Sequence, residues 1–437
     1  MPRDLPGFYW DAERNRYFPI TTAPQSQSRA NLPPAPARVP TPRKRKTTAN
    51  LNLSSKPDES RSSRPGRSVG TRFPSAAGMA RVARSTRETR FADTPLGHHE
   101  PIPTLAGSIS AFGVGPARQY LGDTGGWLYS RTAIAYPGSE NTIEWMPWTA
   151  EFCLAPNCEV SAICTTSTPS GTRCVAASFG PKTKICIQDA DAAERMSLLS
   201  LSTIYDVRCA SLFRSSLLLG AARGVAYLSD LETSSSVRHL PTEGDVFAVA
   251  QKDTLVYAGT RNGSILRFDT RLAATSKPAG QLVTESIVSW ASRNQTAPAS
   301  TANFVHPMQD GCSLVVGYMD GRLGMMDTRF LRPQASPVVV YSGHVGSVST
   351  RLGITLDPTE TFLFAGGADC RLRGWSVRTG TRLLAPSRGS PFSDTTTFST
   401  PLLALEFEDG EDLLPVLWTV EGGVGAVWRW RLGGNDG

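Results

Sequence analysis

VYAGTRNGSILRFDTR (Val256–Arg271), LVVGYMDGRLGMMDTR (Leu314–Arg329) and LFAGGADCRLRGWSVR (Leu363–Arg378) lie on one another residue for residue. Each opens on apolar and small residues. Each carries Asn or Asp at its seventh place (Asn262, Asp320, Asp369), a branched apolar residue at its tenth (Ile265, Leu323, Leu372), a bulky one at its thirteenth (Phe268, Met326, Trp375) and Arg at its sixteenth. A repeated unit decides the fold before local propensity does. The physical reading of one window is a tight hairpin. Asn, Asp and Gly tolerate the positive φ of a short turn. The alternation after the turn, as in Ile265-Leu266-Arg267-Phe268, turns every second side chain inward.

Working outward, Gly343-His344 stands about thirty residues before Trp375. The stretch between reads strand, turn (Leu356-Asp357-Pro358-Thr359-Glu360), strand, turn, strand. Residues 343–380 resemble a complete WD40 repeat, which is about forty residues and four strands, one blade of a β-propeller. The resemblance implies a structural network of His344, Asp369 and Trp375. It lacks the usual Ser or Thr, because Ala365 occupies that strand position.

The same texture of strand and turn extends to both sides. Seven blades are expected, at about 101–150, 155–197, 200–240, 243–290, 300–340, 343–383 and 400–433. The fold class is therefore all-β, a seven-bladed propeller over residues 99–437. Closure is expected from a strand near 104–115 completing the last blade, since an open ring would leave raw edges. Residues 384–399 read as a mobile loop, and 272–280 and 291–300 as insertions flanking a strand-like QLVTESIVSW.

The N-terminal residues differ. Residues 1–20 are dense in aromatics and read as a docking motif, Phe8, Tyr9, Trp10, Asp11, Tyr17 and Phe18. Residues 21–98 are rich in Pro, Ser and Arg. They hold too little apolar surface to offset the entropy of ordering, so they read as a disordered linker. Within them, residues 79–91 could form a short basic helix on docking. Arg43-Lys44-Arg45-Lys46 resembles a nuclear localisation signal and reads equally as a solvated basic patch. Residues 1–100 hold 18 Lys and Arg against 8 Asp and Glu; the remaining 337 hold 27 against 30. The basic balance of the chain belongs to its tail, which argues against a propeller that itself grips nucleic acid. Nucleic acid is expected, if at all, at the tail.

No Cys-x-x-Cys pair and no His cluster accompany the eight cysteines, so no metal is expected, and free Cys in strands acts as a small buried hydrophobe. Phosphate-loop, nucleophile-elbow and zinc-protease motifs are absent from the sequence, and no catalytic residue or cofactor is expected. No secretory signal or membrane span is read, so the expected setting is nucleus, cytoplasm or both, with protein partners and no membrane.

The ends of the windows carry the functional signal. Asp269-Thr270-Arg271 and Asp327-Thr328-Arg329 are Asp-x-Arg boxes, and Ser376-Val377-Arg378 keeps only the Arg. Nine positions from the turn, each Arg falls on the face opposite the hairpin turns. A guanidinium fork there suits carboxylates or carbonyls of a partner, with Asp269 and Asp327 holding the fork in place. The plainer reading is a surface ion pair ending each strand, worth about 0–1 kcal/mol. These boxes resemble those of WD40 substrate receptors of cullin-4 RING ubiquitin ligases. The opening Leu5-Pro6-Gly7-Phe8-Tyr9-Trp10-Asp11 with Asn15-Arg16-Tyr17-Phe18 is similar to that of the cullin-4-associated factor four (WD-repeat 21) type. The resemblance implies docking of the adaptor, damaged-DNA-binding protein one, through Arg271, Arg329 and Arg378, and presentation of a substrate without catalysis. The alternative is a generic propeller scaffold in a nuclear RNA-processing or chromatin complex.

Overall fold

The structure is a computed structural model. It describes residues 8–11, 16–19 and 85–433, except 96, 103–104, 136–142, 169–170, 190–194, 233–236, 273–279, 284–299, 330–335, 386–388, 409–414 and 424. The chain divides into two compact units, 1–71 and 72–437. In the first, Phe8–Asp11 and Arg16–Pro19 pair antiparallel, with Tyr9 opposite Phe18 and Trp10 opposite Tyr17. The side chains of the expected docking motif, and the linker and basic run at 21–84, lie outside the described residues.

The second unit holds seven antiparallel sheets, one per expected blade. Blade one runs outward from Ile109–Val114 through Arg118–Asp123 and Trp127–Ala135, the last pairing with both Ile143–Trp145 and Thr149–Cys153. The inner strands of blades two to seven are Val160–Thr168, Cys209–Phe213, Val246–Lys252, Ala302–Pro307, Ile354–Leu356 and Leu402–Phe407. Among the described residues blade six has three strands, and a bridge between Trp375 and Arg382 stands where a fourth would pair.

The core lies between blades. Leu218, Val225 and Tyr227 of blade three pack with Val246, Val256, Leu266 and Phe268 of blade four, and the other interfaces repeat this arrangement. Strands buried on both faces read as nearly continuous apolar runs, as Leu217-Leu218-Leu219 does.

Five inner strands share one irregularity. The register skips Ser110, Ser161, Phe247, Asn303 and Leu403, each the extra residue of a β-bulge. A bulge takes one residue out of the ladder and re-aims it. All five line the central channel, about 1400 Å³.

Closure corrects the sequence expectation. The closing strand is His98–Pro101, paired with Ala426–Arg431 as the outermost strand of blade seven. Ile109–Val114, inside the stretch expected to close the ring, is instead the inner strand of blade one, as its buried apolar residues require. The edge position is half in water, so the polar run His98-His99-Glu100 suits it.

The end of the expected linker is also corrected. Residues 85–92 are helical, and 97–101 lead into the closing strand. Phe91 is buried against Phe362, with ring centroids 4.6 Å apart and tilted by 26°. The Arg87 guanidinium lies over both rings, 5.5 and 5.8 Å from their centroids, and reaches Thr359. The Ser390 hydroxyl donates to the Ala92 carbonyl, and Gly433 N–H donates to Thr94 Oγ1. Composition marks this stretch as loose, but one aromatic anchor over an apolar seam orders it. Residues 389–399, expected to be mobile, are likewise packed, with Phe392 and Phe398 buried in the same cluster.

Candidate partner-binding face

Register fixes which end of a blade each box occupies. In blade four Leu255 pairs with Asp269 at one end and Gly259 with Ile265 beside the turn at the other. Blade five repeats this with Ser313 opposite Asp327 and Gly317 opposite Leu323, and blade six with Phe362 opposite Ser376 and Gly366 opposite Leu372. Turn-end residues Arg261, Met319 and Asp320 line the channel. The three arginines therefore follow their strands at the opposite end of the propeller.

One backbone bond sets each box. The residue after the Asp position donates its N–H back across the sheet: Thr270 to Thr254, Thr328 to Cys312 and Val377 to Thr361, at 2.7–2.8 Å. The two threonines add a hydroxyl bond to the same carbonyls. With the turn so held, the Asp carboxylate folds over it. Asp269 Oδ1 accepts the Arg271 backbone N–H at 3.0 Å and Arg271 Nε at 2.9 Å, and Oδ2 accepts Nη2 at 2.6 Å. Asp327 holds Arg329 in the same way, at 2.9, 3.0 and 2.7 Å. The two arginine side chains remain 71 and 62 % exposed.

The electrostatics follow from the fork. The Arg271 side chain, then its backbone N–H, holds the Asp269 carboxyl down at about 2. Arg329 lowers Asp327 for the same reason, and both arginines are raised in turn. Both carboxylates and both guanidinium groups stay charged at every physiological pH.

Arg378 is exposed at the equivalent place, but residue 376 is a buried serine and offers no carboxylate to fold over the turn. Two residues the sequence reading missed complete this face. Arg238 of blade three donates to the carbonyls of Thr270 and Leu272, at 2.6 and 2.5 Å, and so braces the first box. Glu232 sits in the box position of blade three: Leu231 N–H bonds Ser215, and Glu232 N–H bonds Asp230 Oδ1 at 3.1 Å. The sequence Asp230-Leu231-Glu232 is thus an inverted box, legible only once the strands are in register.

In blade six, His344 and Trp375 meet edge-on with ring centroids 6.4 Å apart. The hydrogen bonds that the resemblance implies run elsewhere. Asp369 grips Arg373 through both oxygens, and Trp375 Nε1 donates to the Ser342 carbonyl at 3.0 Å. Burial, with Arg373 nearby, pushes His344 down to about 4 despite the opposing charge of Asp369.

Among the described residues no group of three His, Cys, Asp or Glu is placed to hold a metal, and no helix is long and apolar enough to cross a membrane. The cysteines are unpaired, and Cys174, Cys186 and Cys209 are buried.

The fold is a seven-bladed β-propeller. No family model matches the chain. It is similar to the WD40 propeller domain of Doa1, with a TM-score of 0.55 and 11% identity over 77% of this chain and 96% of that one. It is 26% identical over 148 residues to a WD repeat-containing protein of Caenorhabditis elegans, F47D12.9, and 39% identical over 88 residues to eukaryotic translation initiation factor 3 subunit I of Neurospora crassa. Those matches cover 33 and 20% of this chain, and 24 and 22% of the relatives' own length.

Proposed function

We propose that this protein is a non-catalytic interaction subunit that serves as a substrate receptor of a cullin-4 RING ubiquitin ligase. On this reading it docks damaged-DNA-binding protein one through Arg271 and Arg329, with Arg378 beside them, and presents a substrate for ubiquitination in the nucleus, the cytoplasm or both. The observation that supports it most is the pair of Asp-held, exposed guanidinium forks on successive blades. A fork already ordered by its own carboxylate loses less side-chain entropy when a partner arrives.

The test is calorimetric titration of the whole chain with the adaptor, wild type beside Arg271→Glu/Arg329→Glu. Two interface arginines of this kind predict at least about a hundredfold weaker binding. The unfolding midpoint should not move, because exposed ion pairs add only about 0–1 kcal/mol. Equal binding by wild type and variant, or no binding by either, refutes the reading.

A second reading is a scaffold subunit of an RNA-linked assembly. The partial likeness to an initiation-factor subunit and the basic balance of residues 1–100 favour it. It predicts RNA binding that falls steeply with salt.

A further inference from the structure

The inner strand of blade six is the shortest of the seven: Ile354–Leu356 has three residues where the others have five to nine. The chain that would have lengthened it goes elsewhere. Residues 348–353 line the channel together with the inner strands of the other blades. Both ends of the stretch are seated. Val345 accepts the Ala368 N–H at 2.9 Å, and Gly346 lies so close to the blade-five turn that a Cβ would stand 2.3 Å from Gly321 N and Met319 O. At the other end Leu352 is buried, Gly353 N–H donates to Leu402 O at 3.0 Å, and a Cβ on Gly353 would stand 2.6 Å from Leu405 N. Between these anchors the bonds are local, such as Thr350 N–H to Ser347 Oγ at 3.0 Å, and Val348 is 82 % exposed.

One bond leaves this stretch for the far wall. Arg351 Nη1 donates to the Ser161 carbonyl at 2.6 Å. Ser161 belongs to blade two, so the bond joins blades that are not neighbours around the ring. It is also the bulge residue of its strand, out of register with Ala177 and Ser178, and the bulge takes it out of the ladder. The bulge and the shortened strand therefore supply the acceptor and donor of this cross-channel contact. Asn303, the bulge residue of blade five, is a second acceptor on the channel wall, and its Oδ1 has no hydrogen-bond partner among the described residues.

We propose that residues 347–352 form a strap over the turn-end mouth of the channel, latched by Arg351 on the Ser161 carbonyl. Releasing the latch opens the channel wall to a ligand that brings its own hydrogen-bond donor to that carbonyl. A channel of about 1400 Å³ is larger than most small-molecule sites and suits a segment of another chain.

The test uses the full chain with Arg351→Met, which keeps the aliphatic stem and removes the donor. Two readouts are taken together: hydrogen exchange of the 347–352 amides, and maleimide labelling of Cys164 and Cys209, both on the channel wall, resolved by peptide mass spectrometry. Loss of one charge-assisted hydrogen bond predicts about tenfold faster exchange confined to the strap. Labelling at Cys209 should rise several-fold, and Arg351→Lys should fall between the two. Unchanged exchange overturns the latch. Faster exchange with unchanged labelling overturns the gate. Faster exchange throughout the inner strands means that Arg351 holds the fold, and overturns the proposal as well.

Discussion

Arg131 offers the sharpest test of how the ring is held shut. It lies on the third strand of blade one with its side chain 4 % exposed. Its Nη1 donates to Glu100 of the closing strand and its Nε to Gln119 Oε1 at 2.8 Å. Its guanidinium carbon is 5.0, 4.6 and 5.8 Å from the ring centroids of Trp145, Trp148 and Trp418. One cation thus ties blade one to both chain ends of blade seven, the strand before the ring and the strands that finish it. Burial lowers the Arg131 pKa, and Glu100 opposes that shift, so the group stays charged. Replacing it with Met keeps much of the stem. The loss is a charged hydrogen bond, about 1.5–3 kcal/mol, and cation–π attraction of about 0.5–2 kcal/mol. Glu100 is 28 % exposed, so water recovers part of the first contribution. A net loss of about 3 kcal/mol is expected. Equilibrium urea unfolding followed by tryptophan fluorescence measures it, since three of the reporter rings surround the site. A double-mutant cycle with Glu100→Gln isolates the pair and should give a coupling of about 1–2 kcal/mol. A loss below about 0.5 kcal/mol, or no coupling, would refute the claim that this contact closes the propeller.

Two further predictions concern protons. The Asp269 carboxyl, held at about 2 by Arg271, should titrate there by NMR, and Arg271→Ala should return it to about 3.9; a wild-type midpoint near 3.9 would mean that the fork does not persist in solution. His344, at about 4 in the fold against about 6.5 unfolded, is neutral when buried. Because its folded pKa is depressed, the unfolded state takes up the proton first as pH falls. Stability should therefore drop between about pH 6.5 and 4, by at most about 1.4 kcal/mol per pH unit, and His344→Phe should flatten that slope. Equal slopes in urea midpoints across that range would count against the burial of this ring.

The parts of the fold legible in the sequence were those fixed by contacts between near neighbours. Asn262-Gly263 and Asp320-Gly321 turn within a few residues, and the strands on either side alternate, so the hairpins and then the seven blades could be read directly. The closing strand could not. His98–Pro101 has no apolar alternation, and it is a strand because Ala426–Arg431, more than 320 residues later, offers an edge. Residues 85–92 fall partly within the short basic helix that 79–91 suggested on docking, but its docking site could not be read, because Phe362 lies about 270 residues from Phe91. The Asp-x-Arg boxes were visible as letters, whereas the inverted box at Glu232 needed the register of blade three. Arg238, Arg131 and Arg351 act on other blades, and no window of sequence brings them near their partners. The bulge residues were missed because a bulge is a mismatch between two strands and belongs to neither sequence alone.

The four box positions are not equivalent, and the difference bears on how the face would be read. From blade three to blade six they hold Glu232, Arg271, Arg329 and Arg378. The negative end is tied to blade two, where Arg173 donates to Glu232 at 3.3 Å. A complementary surface has to present charge of the opposite sign in that order, so one misaligned blade sets like charges together. This penalises wrong registers more than it strengthens the right one. Order differs along the row as well. Arg271 and Arg329 are fixed by Asp269 and Asp327 before any partner arrives, while Ser376 leaves Arg378 without that brace. Ordering one long side chain on binding costs about 0.5–1.5 kcal/mol. The two central forks therefore carry the recognition on the proposed reading, and Arg378 contributes only what remains after its own ordering. The same three backbone bonds support all three arginines, so this ranking arises from the carboxylates and not from the scaffold.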